Sequence, residues 1–390
     1  MPLRRLWTWA TALNALGWLG LALLYVFNRR HVPGLSEAAP DPLPAALPPL
    51  TVVLTALNEA ATIETALRSL LAQAYPGPLD VVVVDDRSTD ATGAIIDRLA
   101  AQDARLTPVH ITQLPPGWLG KTHALHVAAQ RARRRDGWLL FTDADVIFAP
   151  HALARAVTYA EQAHVDHLVA LPDLLLEGVG EKALVSVFTL MFALRFQTWL
   201  VRNPHARHAY AGVGAFNLVR RAAYDRIGGH ARLRMEVGDD VKLGKLVKRA
   251  GLRQAVVGGE RELRVRWQVG AWGVVRGLEK NAFSGFNYSL PFVVVGSLGL
   301  VYLNLTPFVG LLTPGPARRW AALGLSALAA LYALQAERTG VAPAHVALHP
   351  LGLALFLVAV WRATYLALRR GGIEWRGTFY SLDELRRGLV

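Results

Sequence analysis

Residues 80–90 read Asp80-Val81-Val82-Val83-Val84-Asp85-Asp86-Arg87-Ser88-Thr89-Asp90. Four consecutive valines fit a strand buried on both faces, because a strand with one wet face alternates apolar and polar residues. The strand ends in two carboxylates. Ser88-Thr89-Asp90 then reads as an N-cap cluster opening a helix over Ala91 to Ala101. The pattern repeats on either side. Leu50 to Thr55 is a β-branched apolar run followed by Asn58-Glu59-Ala60, and Ala61 to Ala72 carries Ile63, Leu67, Leu70 and Leu71 at helical spacing. Trp138 to Thr142 is a third apolar run and ends at Asp143-Ala144-Asp145. Buried strands alternating with helices predict an α/β domain with a mostly parallel central sheet. Ligands of such sheets sit at the carboxyl ends of the strands. Here those ends carry Asn58, Glu59, Asp85, Asp86, Asp143 and Asp145.

The whole chain has 390 residues, of which 53% are hydrophobic, and it has no cysteine. That is too apolar for disorder, and the missing thiols exclude a disulfide scaffold or a Cys-ligated zinc or iron–sulfur site. Four long stretches are almost free of charge: Leu6–Phe27, Pro291–Leu312, Trp320–Ala336 and Pro343–Leu368. A bilayer-spanning helix needs about 20 apolar residues, so these predict N- and C-terminal transmembrane helices. Leu6–Phe27 exceeds a signal-peptide core and is followed by no small-x-small cleavage site. The expected organisation is a membrane anchor over 1–30, a Pro/Ala linker over 31–49, one soluble domain over 50–285, a membrane region over 286–368 and a basic tail over 369–390. Pro291–Leu312, interrupted by Asn304 and Pro307, is expected to be re-entrant or interfacial.

The net charge of +13 is uneven. Residues 28–201 carry net −4 and residues 202–280 net +10. A basic face beside membrane segments suits anionic lipid or a diphosphate. Nucleic acid is excluded as a partner, because no aromatic-basic module accompanies the charge.

Several motifs carry chemistry. Asp143-x-Asp145 after a buried strand offers oxygen ligands to Mn²⁺ or Mg²⁺. No P-loop and no G-x-G-x-x-G follows the first strand, so P-loop and dinucleotide sites are excluded. Gly117 to Leu125 is a Gly-hinged loop entering a helix, where Lys121 and the helix amides suit a diphosphate. Gly212 and Gly214 in Tyr210–Phe216 permit close approach of another molecule. Asp239-Asp240 opens a further helix, as a cap or as catalytic groups.

Taken in order, TALNEA, VVVVDDRSTD, GKTHAL, FTDADV, AGVGAF, GDD and RVRW resemble glycosyltransferase family 2 over about residues 50–285. The later GLEKNAF and WRGTFYSLDELR resemble its membrane-bound, lipid-glycosylating subgroup, which includes hydroxychlorobactene-type carotenoid glucosyltransferases and hopanoid-associated glycosyltransferases. The resemblance implies a single Rossmann-like, GT-A type nucleotide-sugar domain. It implies that Asn58, Glu59, Asp85, Asp86, Lys121 and Asp143 bind the nucleotide sugar and that Asp145 holds the divalent cation. Asp240 would be the catalytic base with Asp239 beside it, and Gly212, Gly214, Arg266 and Trp267 would lie on the acceptor side. Leu263 stands where the processive members of the family carry Gln. The implied reaction is inverting, non-processive transfer of a sugar, glucose from a UDP-sugar, to a lipid hydroxyl. Alternatives are a polyprenyl-phosphate glycosyltransferase, a processive synthase, or a membrane scaffold with a vestigial nucleotide fold. Sugar nucleotides are cytosolic, which places the catalytic domain at the cytoplasmic face of a plasma or inner membrane as part of a multi-pass protein. Asp145 and Asp240 must share one compartment, so residues 183–201 are expected to lie in the interface rather than cross.

Overall fold

Val81 to Val84 are fully buried on the second strand of a seven-stranded sheet. At about 1.5–3 kcal/mol per buried valine-sized side chain, this run alone is a major stabilising element. The computed structural model describes residues 2–39 and 41–390. Met1 of the anchor and Pro40 of the linker lie outside the described residues.

Along the chain, α1 (Pro2–Arg29) and α2 (Leu35–Ala38) precede β1 (Leu50–Ala56), α3 (Ile63–Leu71), β2 (Leu79–Asp86), α4 (Thr92–Ala100) and β3 (Leu106–Ile111). Next come α5 (Gly120–Arg131), β4 (Trp138–Asp143), β5 (Val146–Phe148), α6 (Ala152–Gln162), β6 (His167–Leu171) and β7 (Asp173–Leu174). They are followed by α7 (Val179–Arg195), α8 (Thr198–Val201), β8 (Asn217–Arg220), α9 (Arg221–Arg226), α10 (Asp239–Arg249), β9 (Gln254–Gly258) and β10 (Leu263–Val265). The remainder is α11 (Gly270–Ala282), α12 (Leu290–Leu311), α13 (Pro316–Thr339), α14 (His349–Arg370), β11 (Gly372–Trp375), β12 (Thr378–Ser381) and α15 (Leu382–Arg387).

The large sheet runs β3-β2-β1-β4-β8-β6-β9. Strands β1 to β4 are parallel, β8 is antiparallel to both neighbours, and β6 and β9 are parallel. This is the mostly parallel α/β sheet expected. One detail differs. Helix α4 starts at Thr92, and Asp90 accepts from the Thr92 amide (2.9 Å) and hydroxyl (2.6 Å). Asp90 thus forms a local side-chain turn instead of capping the helix.

The chain divides into two compact units. The α/β unit comprises His31–Leu175, Gln197–Trp267 and Glu374–Val390. The helical unit comprises the N-terminal residues through Arg30, Leu176–Phe196 and Gln268–Ile373. Residues 183–201, expected as one interfacial helix, form two helices assigned to different units. Phe196 between them is extended, and its ring packs edge-on against Phe192 at 4.4 Å. From Glu374 onward the basic tail is part of the α/β unit, and its residues 369–373 belong to the helical unit. Its hairpin turns at Arg376 and Gly377, both left-handed (φ 54° and 72°), as a two-residue hairpin turn requires.

Within the helical unit, α1, α12 and α13 form one bundle. Tyr302 Oη donates to the Ala10 carbonyl (2.8 Å), and Trp7 Nε1 donates to Thr313 Oγ1 (3.1 Å). At the other end Arg29 donates to the Leu334 carbonyl (2.9 Å) and pairs with Glu337. Helix α13 therefore runs parallel to α1, and α12 antiparallel to it. Pro291–Leu312 is expected from its sequence to be re-entrant or interfacial; Leu290–Leu311 is one unbroken helix, which does not fit a re-entrant turn at Asn304 and Pro307. Pro307 removes the amide that would bond the Leu303 carbonyl. Trp18 Nε1 (2.8 Å) and Asn14 Nδ2 (3.0 Å) bond that carbonyl instead. Asn304 is held by His349, whose other ring nitrogen meets Tyr332. Among the described residues, three helices are long and apolar enough to cross a membrane: Leu3–Arg29, Leu290–Leu311 and Pro343–Arg370. The fourth apolar run lies in α13.

Candidate active site

Within the α/β unit, Asp143 at the carboxyl end of β4 meets the amino end of α10, whereas the polar groups at the ends of β1 and β2 do not line that cavity. The β1 group is stitched to the β2 loop. Asn58 is left-handed (φ 55°), and its Oδ1 accepts from the Thr89 amide (2.8 Å). The Glu59 amide donates to Thr92 Oγ1 (2.8 Å), and the Glu59 carboxylate accepts from Thr62 Oγ1 (3.1 Å).

The two carboxylates of β2 are already engaged. Asp86 is fully buried, and both its oxygens accept from Arg87, at 2.8 and 3.1 Å. Asp85 accepts from the Ser88 amide (3.2 Å) and faces His110 Nδ1 (3.2 Å). Asp97, with Asp85 behind it, raises the His110 pKa above its ordinary value.

Beyond β4 the arrangement opens. Lys121, on the first turn of α5, donates to Asp143 Oδ1 (2.8 Å) and lies 3.8 Å from Asp239. Burial opposes its charge, but Asp143, Asp239 and Asp240 outweigh burial and hold the ammonium's pKa above its usual range. Asp145 is pushed up to about 7 by burial, then by Asp143 and Glu59. Asp240 is also raised, first by burial, against the pull of Lys121 and of the Val241 amide at 2.8 Å. The Gly214 amide also bonds Asp240. A raised pKa makes an ionised carboxylate a better proton acceptor.

Lys121, Asp143, Gly214, His230, Asp239 and Asp240 line one narrow cavity. The two glycines have a concrete reason. A Cβ on Gly212 would lie 1.9 Å from the Asp240 carbonyl oxygen, and one on Gly214 would lie 2.4 Å from Asp143 Oδ2. Their close neighbours are the site's own acidic segments. Arg266 follows β10 and donates to the Leu175 carbonyl (2.5 Å). Neither Arg266 nor Trp267 lines the cavity.

Sequence reasoning did not single out His230, Arg87 or Tyr380. His230 is buried, bonds Tyr224 Oη through Nδ1 (2.9 Å) and packs against Phe141 at 4.6 Å. Burial, helped by Lys121, lowers its pKa to about 3, so the ring is neutral. No motif marks it. Arg87 stood inside a quoted motif, but its role depends on contacts with residues far along the chain.

Among the described residues, no three His, Asp or Glu side chains form a complete metal cage. A small hard cation that shares its shell with phosphate oxygens needs only one or two carboxylates. Asp145, crowded by Asp143 and Glu59, fits that need, since a cation would relieve the repulsion that raises its pKa.

The profile of the family described as Glycosyltransferase like family 2 matches residues 48–279. The 4,4'-diaponeurosporenoate glycosyltransferase of Staphylococcus aureus (strain USA300) is 24% identical over 371 residues, covering 92% of this chain and 94% of the relative. Among solved structures, the mannosyltransferase PcManGT from Pyrobaculum calidifontis, in complex with GDP-Man and Mn²⁺, superposes with a TM-score of 0.53 at 21% identity. That alignment covers 92% of this chain and 99% of the other. The fold is thus the GT-A type α/β architecture.

Proposed function

The chain belongs to glycosyltransferase family 2 and is a glycosyltransferase, and from that premise we propose that it moves one sugar, glucose from a UDP-sugar, onto a lipid hydroxyl at the cytoplasmic membrane face. The observation that carries this reading is the cavity where Lys121 stands among Asp143, Asp239 and Asp240. The acceptor hydroxyl oxygen attacks the anomeric carbon as the bond to the nucleotide diphosphate breaks. Asp240 takes the hydroxyl proton, and the diphosphate leaves with the bonding pair. A single displacement inverts the anomeric carbon. Lys121 offers its ammonium to the diphosphate through charge-assisted hydrogen bonds. Asp145, with Asp143, would hold a Mn²⁺ or Mg²⁺ ion, which when bound neutralises charge on the departing diphosphate. Asn58 and Glu59 would border the nucleoside. Arg266 and Trp267 are proposed for the acceptor side.

The Staphylococcus aureus relative is named for 4,4'-diaponeurosporenoate, which supports a carotenoid-like acceptor, with hopanoid-like lipids as the nearest alternative. A carboxylate acceptor would arrive without a proton to lose. A base raised by burial suits a hydroxyl.

The proposal extends to the membrane arrangement, which two observations support. The tail belongs to the α/β unit, so the segment between residues 290 and 370 crosses an even number of times. Helices α12 and α13 both run along α1, and 22 residues of helix reach about 33 Å, enough for a hydrocarbon core of about 30 Å. These two are therefore the crossing pair, and α14 begins and ends on the cytoplasmic side despite its apolar length. Reporter fusions at residue 315 should report the outside, and fusions at 340 and 390 the cytoplasm.

The direct test incubates membranes with Mn²⁺ and a panel of labelled UDP-sugars and extracts the lipids. Label in a glycosylated carotenoid alcohol is the expected result. Label only in a polyprenyl phosphate would overturn the acceptor, and no lipid label from any donor would overturn the reading as a whole.

A further inference from the structure

Helix α5 begins without an ordinary cap. Leu119 occupies the N-cap position and has no side-chain acceptor to offer the first amides. Helix starts leave such amides unsatisfied unless something else accepts from them. The Gly120 amide donates instead to Tyr380 Oη at 3.2 Å, across 260 positions of sequence. Tyr380 is buried on β12, and burial holds its phenol above the ordinary pKa, so the hydroxyl is neutral.

The same strand holds the loop after β2. Thr378 Oγ1 accepts from Arg87 Nη1 (3.2 Å), and Arg87 in turn grips Asp86 with its other nitrogens. Gly120 sits directly on this pair. A Cβ there would lie 2.5 Å from Arg87 Nη2 and 2.7 Å from Asp86 Oδ2. The hairpin thus locks three things together: the end of β2, the start of α5, and through α5 the position of Lys121. The far end of the tail rests on α10, the helix that opens with Asp239 and Asp240. Lys242 and Lys245 donate to the Val390 carbonyl at 2.8 and 2.6 Å. Ser381 and Glu384 form a reciprocal capping box that starts α15 between these two anchor points.

We propose that the C-terminal hairpin is a working part of the donor site, with Tyr380 as a positioning residue that sets the first turn of α5, and so Lys121, through the Gly120 amide. The inference rests on the nucleotide-sugar reading of the site. A tail that served only to stabilise the fold would change melting temperature and leave affinity for the donor intact. A positioning tail changes donor affinity first, because Lys121 is misplaced while Asp240 stays where it is.

The test uses the full-length protein in membranes or detergent, with UDP and GDP as probes in the presence of Mn²⁺. Tyr380→Phe keeps the ring and removes only the hydroxyl. The expected result is about tenfold weaker nucleotide binding and a similar rise in donor KM, as loss of a partner for a buried donor implies. The kcat at saturating donor should fall by less than about threefold, and acceptor KM should not move. Nucleotide affinity and donor KM within twofold of wild type would overturn the proposal, whatever happens to the melting temperature. Should Tyr380→Phe not fold, Thr378→Val, which releases Arg87, is read by the same criteria. Failure of the wild-type protein to bind either nucleotide would refute the donor reading itself, a separate outcome.

Discussion

Asp85-Asp86 at the end of β2 and Asp239-Asp240 at the start of α10 are the same dipeptide in two settings. The first pair is consumed by the fold. Asp86 has a guanidinium on both oxygens, and Asp85 has a backbone amide and an imidazole. The second pair shares one ammonium with Asp143 at the edge of a cavity, and Asp240 has a raised pKa. A carboxylate with dedicated partners ties together the segments that supply them. A carboxylate whose pKa burial raises, as at Asp240, is poised to take a proton or to meet a ligand. On the proposed reading, the first pair braces the site and the second carries its chemistry.

Four experiments test this division. The largest effect is expected from Asp240→Asn. It should lower kcat by about 10²–10⁴-fold, as loss of a general base does, with nucleotide binding nearly intact. A mutant of wild-type activity would remove Asp240 from the role.

Next in size is Asp86→Asn. The change strands Arg87 beneath the start of α5, and stability should fall by about 2–3 kcal/mol. Thermal melts would read it. An unchanged melting temperature would show that the pair is not a brace.

The third effect concerns pH. Burial, then Asp143 and Glu59, push Asp145 up to about 7 from an ordinary 3.8. Between those values the folded state binds more protons than the unfolded state, so stability should fall as pH rises from about 4 to about 7. Melts in EDTA should show that slope. Asp145→Asn should flatten it, and added Mn²⁺ should offset it above pH 7 by binding the ionised form. A slope unchanged in the mutant would assign the titration elsewhere.

The smallest effect is expected from Asp85→Asn. Its His110 partner is partly exposed, and pairs of that kind contribute about 0–1 kcal/mol. A shift of the melting temperature larger than that of Asp86→Asn would reverse the ranking of the two carboxylates.

Much of this architecture was legible in the chain itself. Val81 to Val84, Leu50 to Thr55 and Trp138 to Thr142 announce buried parallel strands, because unbroken apolar runs suit strands covered on both faces. The acidic residues at their ends follow from the same local grammar. Asp90 was misread as a cap because a side-chain turn and a cap use the same residue types one position apart. Pro307 reads as a break in α12, because the donors that replace its missing amide, Asn14 and Trp18, lie nearly 300 positions away. The helical segment 183–201 looked continuous by composition, and Phe196 ends it through packing instead of through a helix-breaking residue type.

The sequence by itself determined the strand–helix alternation, the location of the crevice and the identity of its carboxylates, since periodicity and strand ends are properties of neighbouring residues. Tertiary structure alone decided that Lys121 meets Asp143 and His110 meets Asp85, that α12 and α13 pair with α1, and that the tail closes on α5. Each of those rests on a hydrogen bond or ion pair whose two members are far apart in the chain. No local pattern records such a partner, because the free energy of the contact exists only once the fold has brought both groups out of water together.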